Sequence, residues 1–291
     1  MSPGGGATPD VRHVAVDAGD VTLHCAVAGD AARDLVVFLH GFPEFEYAWR
    51  RQLADLGVDH LAVAPDQRGY GLSDKPAEVA AYAIERRVAD VAAVAEHFGK
   101  ERFALVGHDW GGVVAWAFAA AHPERLEKLV IVNAPHPALF ARRLAEDPAQ
   151  RAASAYMALL RSPDAERIVA ADGFALLDGP ILQRGVAEGW LTEDDRAAYL
   201  EAWSRPGALT GMLNGYRAAR PDPPAGGGTA HEVPTLVVWG MGDRYLLPAN
   251  LDDIEAHLPG ARVQRVEDAD HWVVHQRPER VGRWIREFLE E

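Results

Sequence analysis

The chain has 291 residues, too many for one small domain and too few for two ordinary ones, so a large core carrying an insertion is the expected plan. With 48% hydrophobic and 25% charged residues it has ordinary globular usage, which argues against extensive disorder. A formal charge of -14 argues against a nucleic-acid partner, and a single cysteine, Cys25, excludes an internal disulfide and a multi-cysteine metal site.

In chain order, residues 1–10 read as a flexible tail without the basic-then-apolar pattern of an export signal. No apolar run approaches the roughly 18 residues that a membrane helix needs. A soluble cytoplasmic protein with no membrane partner is therefore expected. Three strand-like runs follow, Val11–Val16, Val21–Ala28 and Leu35–Leu39, separated by turn signals at 17–20 and 29–30. The pattern then alternates: a strand at Leu61–Ala64, a helix at Ile84–Phe98, a strand at Phe103–Val106 and a helix at Gly112–Ala121. Further strands are expected at Leu129–Val132, Leu236–Trp239 and Arg262–Val266. Such alternation implies a mainly parallel sheet covered on both faces, with an antiparallel start where no helix separates the first strands. Between about Pro137 and Ala230 the alternation stops and the pattern is helical, closing in a Pro/Gly-rich connector at 221–229. This placement suggests a lid, because ligands of open α/β sheets bind at the carboxyl edge of the strands. The expected division is a core of 11–137 and 231–291 with a helical cap of 138–230.

The chemistry centres on Gly107-His108-Asp109-Trp110-Gly111, between a strand and a helix. The glycines allow a sharp turn that lifts the middle side chain above the sheet, with Asp109 where such elbows commonly carry serine. In isolation, Asp109 reads equally well as a helix N-cap. Its surroundings favour a nucleophile. Leu39-His40-Gly41-Phe42-Pro43 ends a strand where a second oxyanion-binding N–H belongs, so Phe42 and Trp110 are the expected oxyanion-hole residues. Asp243 ends another strand run, and His271 lies past the last strand. The order nucleophile, acid, histidine is that of a catalytic triad.

On these segments the chain resembles the α/β-hydrolases and, among them, bacterial epoxide hydrolases. The most specific stretches are His40-Gly-Phe-Pro-Glu (40–44), Pro65-Asp-Gln-Arg-Gly-Tyr-Gly-Leu-Ser-Asp-Lys-Pro (65–76), Gly107-His-Asp-Trp-Gly-Gly (107–112) and Asn133-Ala-Pro-His-Pro (133–137). The resemblance implies an eight-stranded, mainly parallel sheet with an inserted cap. It also implies two ring-opening tyrosines, which map to Tyr216, in Pro206–Arg217, and to Tyr156. After Tyr156 this chain has Leu160-Arg161-Ser162-Pro163 in place of the aromatic-Gln-x-Pro pattern that relatives often carry. Gly215 stands where relatives carry a bulky aromatic.

A carboxylate nucleophile is ionised at neutral pH and needs no base to activate it, which leaves the histidine for a later water attack. The leaving group separates two enzyme readings. An epoxide opens to an alkoxide, a poor leaving group that two tyrosines can protonate or hydrogen-bond. A halide leaves unprotonated and needs N–H donors; Trp110 offers one, but Phe42 offers no side-chain donor and Trp190 and Trp203 match no motif. A fluoroacetate-type site would also place arginines beside the nucleophile, where Trp110, Val113 and Val114 stand. The expected function is thus a cofactor-independent epoxide hydrolase acting on a small, mostly apolar epoxide and water. The alternatives are a haloalkane dehalogenase using the same triad and a non-catalytic ligand-binding homologue. No metal is expected, since the pair His271 and His275 has no third ligand in any motif. His40, His108 and His136 read as turn or packing residues, and the chain as a monomer or homodimer.

Overall fold

The computed structural model describes residues 10–219 and 232–291. The expected tail (apart from Asp10) and the connector at 221–229 lie outside the described residues. The strands are β1 (Arg12–Asp17), β2 (Thr22–Ala28), β3 (Leu35–Leu39), β4 (Leu61–Pro65), β5 (Phe103–His108), β6 (Leu126–Val132), β7 (Thr235–Gly240) and β8 (Arg262–Val266). They form one eight-stranded sheet in the order β1-β2-β4-β3-β5-β6-β7-β8. Pairs β1–β2 and β2–β4 are antiparallel and the other pairs are parallel. The antiparallel start and parallel remainder thus match expectation.

Helices α1 (Arg50–Leu56), α2 (Ile84–His97) and α3 (Trp110–Ala121) precede β6. Between β6 and β7 lie α4 (Pro137–Glu146), α5 (Pro148–Ala153), α6 (Tyr156–Arg161), α7 (Ala165–Leu177), α8 (Arg184–Glu188), α9 (Glu193–Ser204) and α10 (Ala208–Ala218). Then come α11 (Ile254–His257), α12 (Val273–Gln276) and α13 (Pro278–Leu289).

Alternation along β3 explains the two layers. Leu35, Val37 and Leu39 join Val88, Val91 and Val94 of α2 and Val114, Trp116 and Phe118 of α3 in one buried cluster. Val36 and Phe38 point the other way, into a cluster with Leu53 of α1 and Val281 and Ile285 of α13. Burial on both faces is why these strands are continuous apolar runs instead of alternating ones.

The chain leaves β3 toward β4 on one side, and β5 returns to the other side of β3. Loops leaving the carboxyl ends of β3 and β5 therefore diverge and open a crevice, the place where open α/β sheets bind ligands. The helices between β6 and β7 cover it. Their aromatic and aliphatic side chains, among them Leu160, Tyr199, Trp203, Leu213 and Tyr216, pack with Phe42, Tyr70 and Trp272 of the core loops. Polar contacts fix the seam: the Trp203 indole donates to the Pro43 carbonyl at 2.6 Å, and the Tyr47 hydroxyl donates to Asp195 at 2.9 Å. The backbone of α10 rests on Gly69, whose φ of +90° and lack of a side chain permit that approach. Among the described residues, no helix is long and apolar enough to cross a membrane.

Candidate active site

Strand β5 runs to His108 and α3 begins at Trp110, two residues earlier than expected, so Asp109 alone makes the turn. Its backbone lies at φ 50°, ψ −120°, a strained conformation for a residue with a side chain. Tight packing enforces it. A methyl group on Gly107 would strike the Gly111 backbone, and one on Gly111 would strike the Leu39 carbonyl. The turn lifts the Asp109 side chain to the carboxyl end of the strands, where it remains 12% accessible.

The loop after β3 closes on this carboxylate. The Phe42 N–H donates to Asp109 Oδ1 at 2.8 Å, and Gly41 approaches so closely that a Cβ there would overlap the Asp109 side chain. Trp110, the other expected oxyanion residue, supplies the first N–H of α3, where the helix dipole favours negative charge. On the other Asp109 oxygen, His271 Nε2 stands 3.6 Å from Oδ2. The opposite ring nitrogen, Nδ1, donates to Asp243 Oδ2 at 2.7 Å.

Asp243 is wholly buried and fully engaged. Its Oδ1 accepts the N–H groups of Tyr245 and Leu246, each at 2.9 Å, and its Oδ2 accepts the Asn133 amide at 2.7 Å. Burial alone would raise its pKa, but His271 and these donors hold the carboxyl below the usual range. For His271 burial acts against protonation; Asp243 and then Asp109 outweigh it and push the imidazole up to about 9. The ring is thus held as the tautomer or cation with Nδ1–H on Asp243.

A second buried network supports His271 from below. Glu44 Oε2 meets His108 Nδ1 at 2.9 Å, Glu44 Oε1 meets His275 Nε2 at 2.5 Å, and His108 Nε2 meets the His271 carbonyl at 2.9 Å. His275 and His271 therefore serve different carboxylates and do not converge on a shared site. His108, expected as a packing residue, also ties the elbow to the backbone of His271.

The cap contributes both tyrosines singled out from the sequence. Tyr216 of α10 stands edge-on to Phe42 and to Trp110, with ring centroids 5.0 Å away in each case. Tyr156, at the start of α6, has its centroid 6.4 Å from that of Tyr216. Tyr156 also packs on Tyr245, which in turn packs on His271. Burial raises both phenols far above their ordinary pKa; the negative charge of Asp109 adds to this in each. Both hydroxyls stay protonated through the neutral range. The indole N–H groups of Trp190 and Trp203 are committed elsewhere, to Glu188 at 2.9 Å and to the Pro43 carbonyl.

Three contributors to the site had no role assigned from the sequence: Glu44 and Asn133, which stand in the resembling stretches, and Arg87, which stands in none. Asn133, with φ 41°, lies at the end of β6, and its side chain bridges Asp243 and the Gly240 backbone. Arg87 of α2 places its guanidinium over the Trp110 ring, 5.5 Å from the centroid.

A carboxylate on a strained strand-to-helix turn, faced by a carboxylate-oriented histidine, defines a hydrolase built on an α/β sheet. The sequence matches the family described as alpha/beta hydrolase fold over residues 34–278, and the chain belongs to that family. The AB hydrolase superfamily protein YfhM of Bacillus subtilis is 39% identical over 278 residues, 94% of this chain and 96% of that protein. Epoxide hydrolase 4 of Mus musculus is 32% identical over 287 residues, 96% of this chain and 79% of its own length. A crystal structure of Bacillus megaterium epoxide hydrolase with an inhibitor superposes with a TM-score of 0.87 at 35% identity, covering 96% of this chain and all of that one.

Proposed function

We propose that this chain is an epoxide hydrolase that forms vicinal diols through a covalent ester on Asp109. The observation that carries the reading is the pairing of Tyr156 and Tyr216, protonated and edge-on, on the cap side of the Asp109 carboxylate. One Asp109 oxygen attacks a ring carbon and the C–O bond of the epoxide breaks. The tyrosines hydrogen-bond and protonate the departing alkoxide. Water then attacks the carbonyl carbon of the ester while His271 Nε2 takes its proton. The oxyanion forms against the N–H groups of Phe42 and Trp110. Collapse expels the diol oxygen, which recovers a proton from His271. The second proton of the water, left on the Asp109 carboxyl, returns to the tyrosinate, so that the carboxylate and both phenols are restored. Asp243 keeps the imidazole oriented and its cation stabilised. Residues 138–230 serve as the cap that selects the substrate.

The dehalogenase alternative needs a second halide donor, and the indoles of Trp190 and Trp203 are already hydrogen-bonded. Diol from a styrene-oxide-type substrate is expected, with no halide from a bromoalkane; halide without diol would reverse the assignment.

Tyr216→Phe should slow ester formation by roughly 10- to 100-fold in single-turnover kinetics while leaving ester hydrolysis nearly unchanged. Equal losses in both steps would remove Tyr216 from ring opening.

The reaction also carries its own control of His271. Asp109 is one of the negative charges that push the imidazole up to about 9 in the resting enzyme. Ester formation abolishes that charge, so the pKa falls and neutral His271, the form able to act as base, becomes more abundant. Ester hydrolysis should therefore rise with pH along a curve centred below 9, whereas the free-enzyme imidazole should titrate near 9 when followed by NMR. Coincident midpoints would contradict this coupling.

A further inference from the structure

Helix α2 buries one face against the sheet, and Arg87 sits on that face with only 4% of its surface exposed. A guanidinium taken from water is costly unless an anion meets it. None does among the described residues. Asp90, one turn further along α2, is already gripped by Arg68 at 2.7 and 2.6 Å. Arg87 Nη2 donates to the Gln67 side-chain oxygen at 3.0 Å, a neutral acceptor, and its Nε–H is buried with no partner.

The location of this unmatched cation ties it to the catalytic centre. Gln67, which holds Arg87, is itself held by His40: its N–H donates to His40 Nε2 at 3.1 Å and its amide to the His40 carbonyl at 2.5 Å. Two residues on, the Phe42 N–H holds Asp109. The guanidinium also lies over the indole of Trp110, and that ring makes a T-shaped contact with Tyr216. From the cap, Gly215 completes the niche. A Cβ on Gly215 would come within 3.8 Å of Arg87 Nη1 and within 4 Å of no other non-neighbouring atom, so the missing side chain leaves space in front of the guanidinium.

We propose that Arg87 is an anion-recognition residue of this site, and that the epoxides it favours carry a carboxylate. The carboxylate pairs with the guanidinium beside Trp110 and Gly215, while the ring lies between Asp109 and the two tyrosines. The planar guanidinium suits a carboxylate, which it can grip through two parallel N–H bonds. The inference rests on the epoxide-hydrolase reading and changes one part of it, the expectation of an uncharged substrate.

The test uses the ortho, meta and para carboxyphenyl glycidyl ethers, their methyl esters, and phenyl glycidyl ether. For at least one isomer the acid should exceed its ester in kcat/KM by about 10-fold or more, carried mainly by KM. Arg87→Leu should lower that acid-to-ester ratio by about 100-fold, and Arg87→Lys, which keeps the charge but not the fork, should fall between. An independent readout needs no variant: phenoxyacetate should inhibit competitively about 10-fold more tightly than phenoxyacetamide. Hydrolysis of the neutral ethers with no acid preference, or a ratio that Arg87→Leu leaves unchanged, overturns the role of Arg87 while the epoxide reading stands. Failure to hydrolyse any of these ethers, with no ester formed on Asp109, removes both.

Discussion

Asp109→Ala should lower kcat/KM for any epoxide substrate by at least about 10,000-fold, because among the described residues no other nucleophile stands in place to open the ring. The carboxylate is the only candidate nucleophile at the strand-to-helix turn, held there by Phe42 N–H and faced by His271 Nε2 at 3.6 Å. Cys25 offers no substitute: it is buried in β2, and burial drives its thiol far above the ordinary range. The variant has a second, activity-independent signature. Asp109 is one of the charges holding the His271 imidazole up to about 9, so its removal should lower the His271 titration midpoint seen by NMR. Retained activity would show that water attacks the epoxide directly and that Asp109 is only a helix N-cap. An unmoved His271 midpoint would show that the two side chains do not communicate.

His271→Gln should separate the two half-reactions. Ring opening needs the Asp109 carboxylate and the tyrosines, none of which depends on a base, so the ester should still form. Its hydrolysis does depend on a base, and steady-state turnover should fall by roughly 1,000-fold or more. The protein mass should then rise by the mass of one substrate, with the adduct mapping to the peptide containing Asp109. Glutamine keeps a hydrogen-bond donor for Asp243, whose buried carboxylate would otherwise lose one of its partners. A variant that is inactive yet remains unmodified under saturating epoxide would place His271 in the first step instead of the second.

The centre of the sheet was legible because burial on two faces demands unbroken apolar runs, and Leu35–Leu39 matches β3 end to end. The edge strand Arg262–Val266 also matches end to end, although its residues are mixed and only Val266 is buried. Boundaries at the elbow were less legible. Trp110 and Gly111 read as part of the turn in one dimension, yet α3 begins at Trp110, and the Leu39 carbonyl lies so close to Gly111 that only a residue without a side chain fits there. Asp109, His271 and Asp243 could be picked out because each follows a strand, and strand ends converge at the crevice between β3 and β5. Asn133 follows a strand as well, but nothing in one dimension shows what it or Glu44 touches, and Arg87 lies within a helix. Asn133 meets Asp243 across 110 residues of sequence, and Glu44 meets His275 across 231. Arg87 sits among the polar and charged residues of an ordinary amphipathic helix, and only its facing side tells it apart. Beside the nucleophile on α3 stand Trp110, Val113 and Val114, and the guanidinium that lies over Trp110 comes from α2.

Covalent catalysis through Asp109 leaves an isotopic mark that no other route produces. A single turnover in 18O-water, with enzyme in excess over epoxide, should yield a diol free of label, because its new oxygen comes from the Asp109 carboxylate. The peptide containing Asp109 should gain one 18O, left behind when water attacks the ester carbonyl. Label appearing in the diol during that first turnover, with Asp109 unlabelled, would mean that water opens the ring directly and that no ester forms.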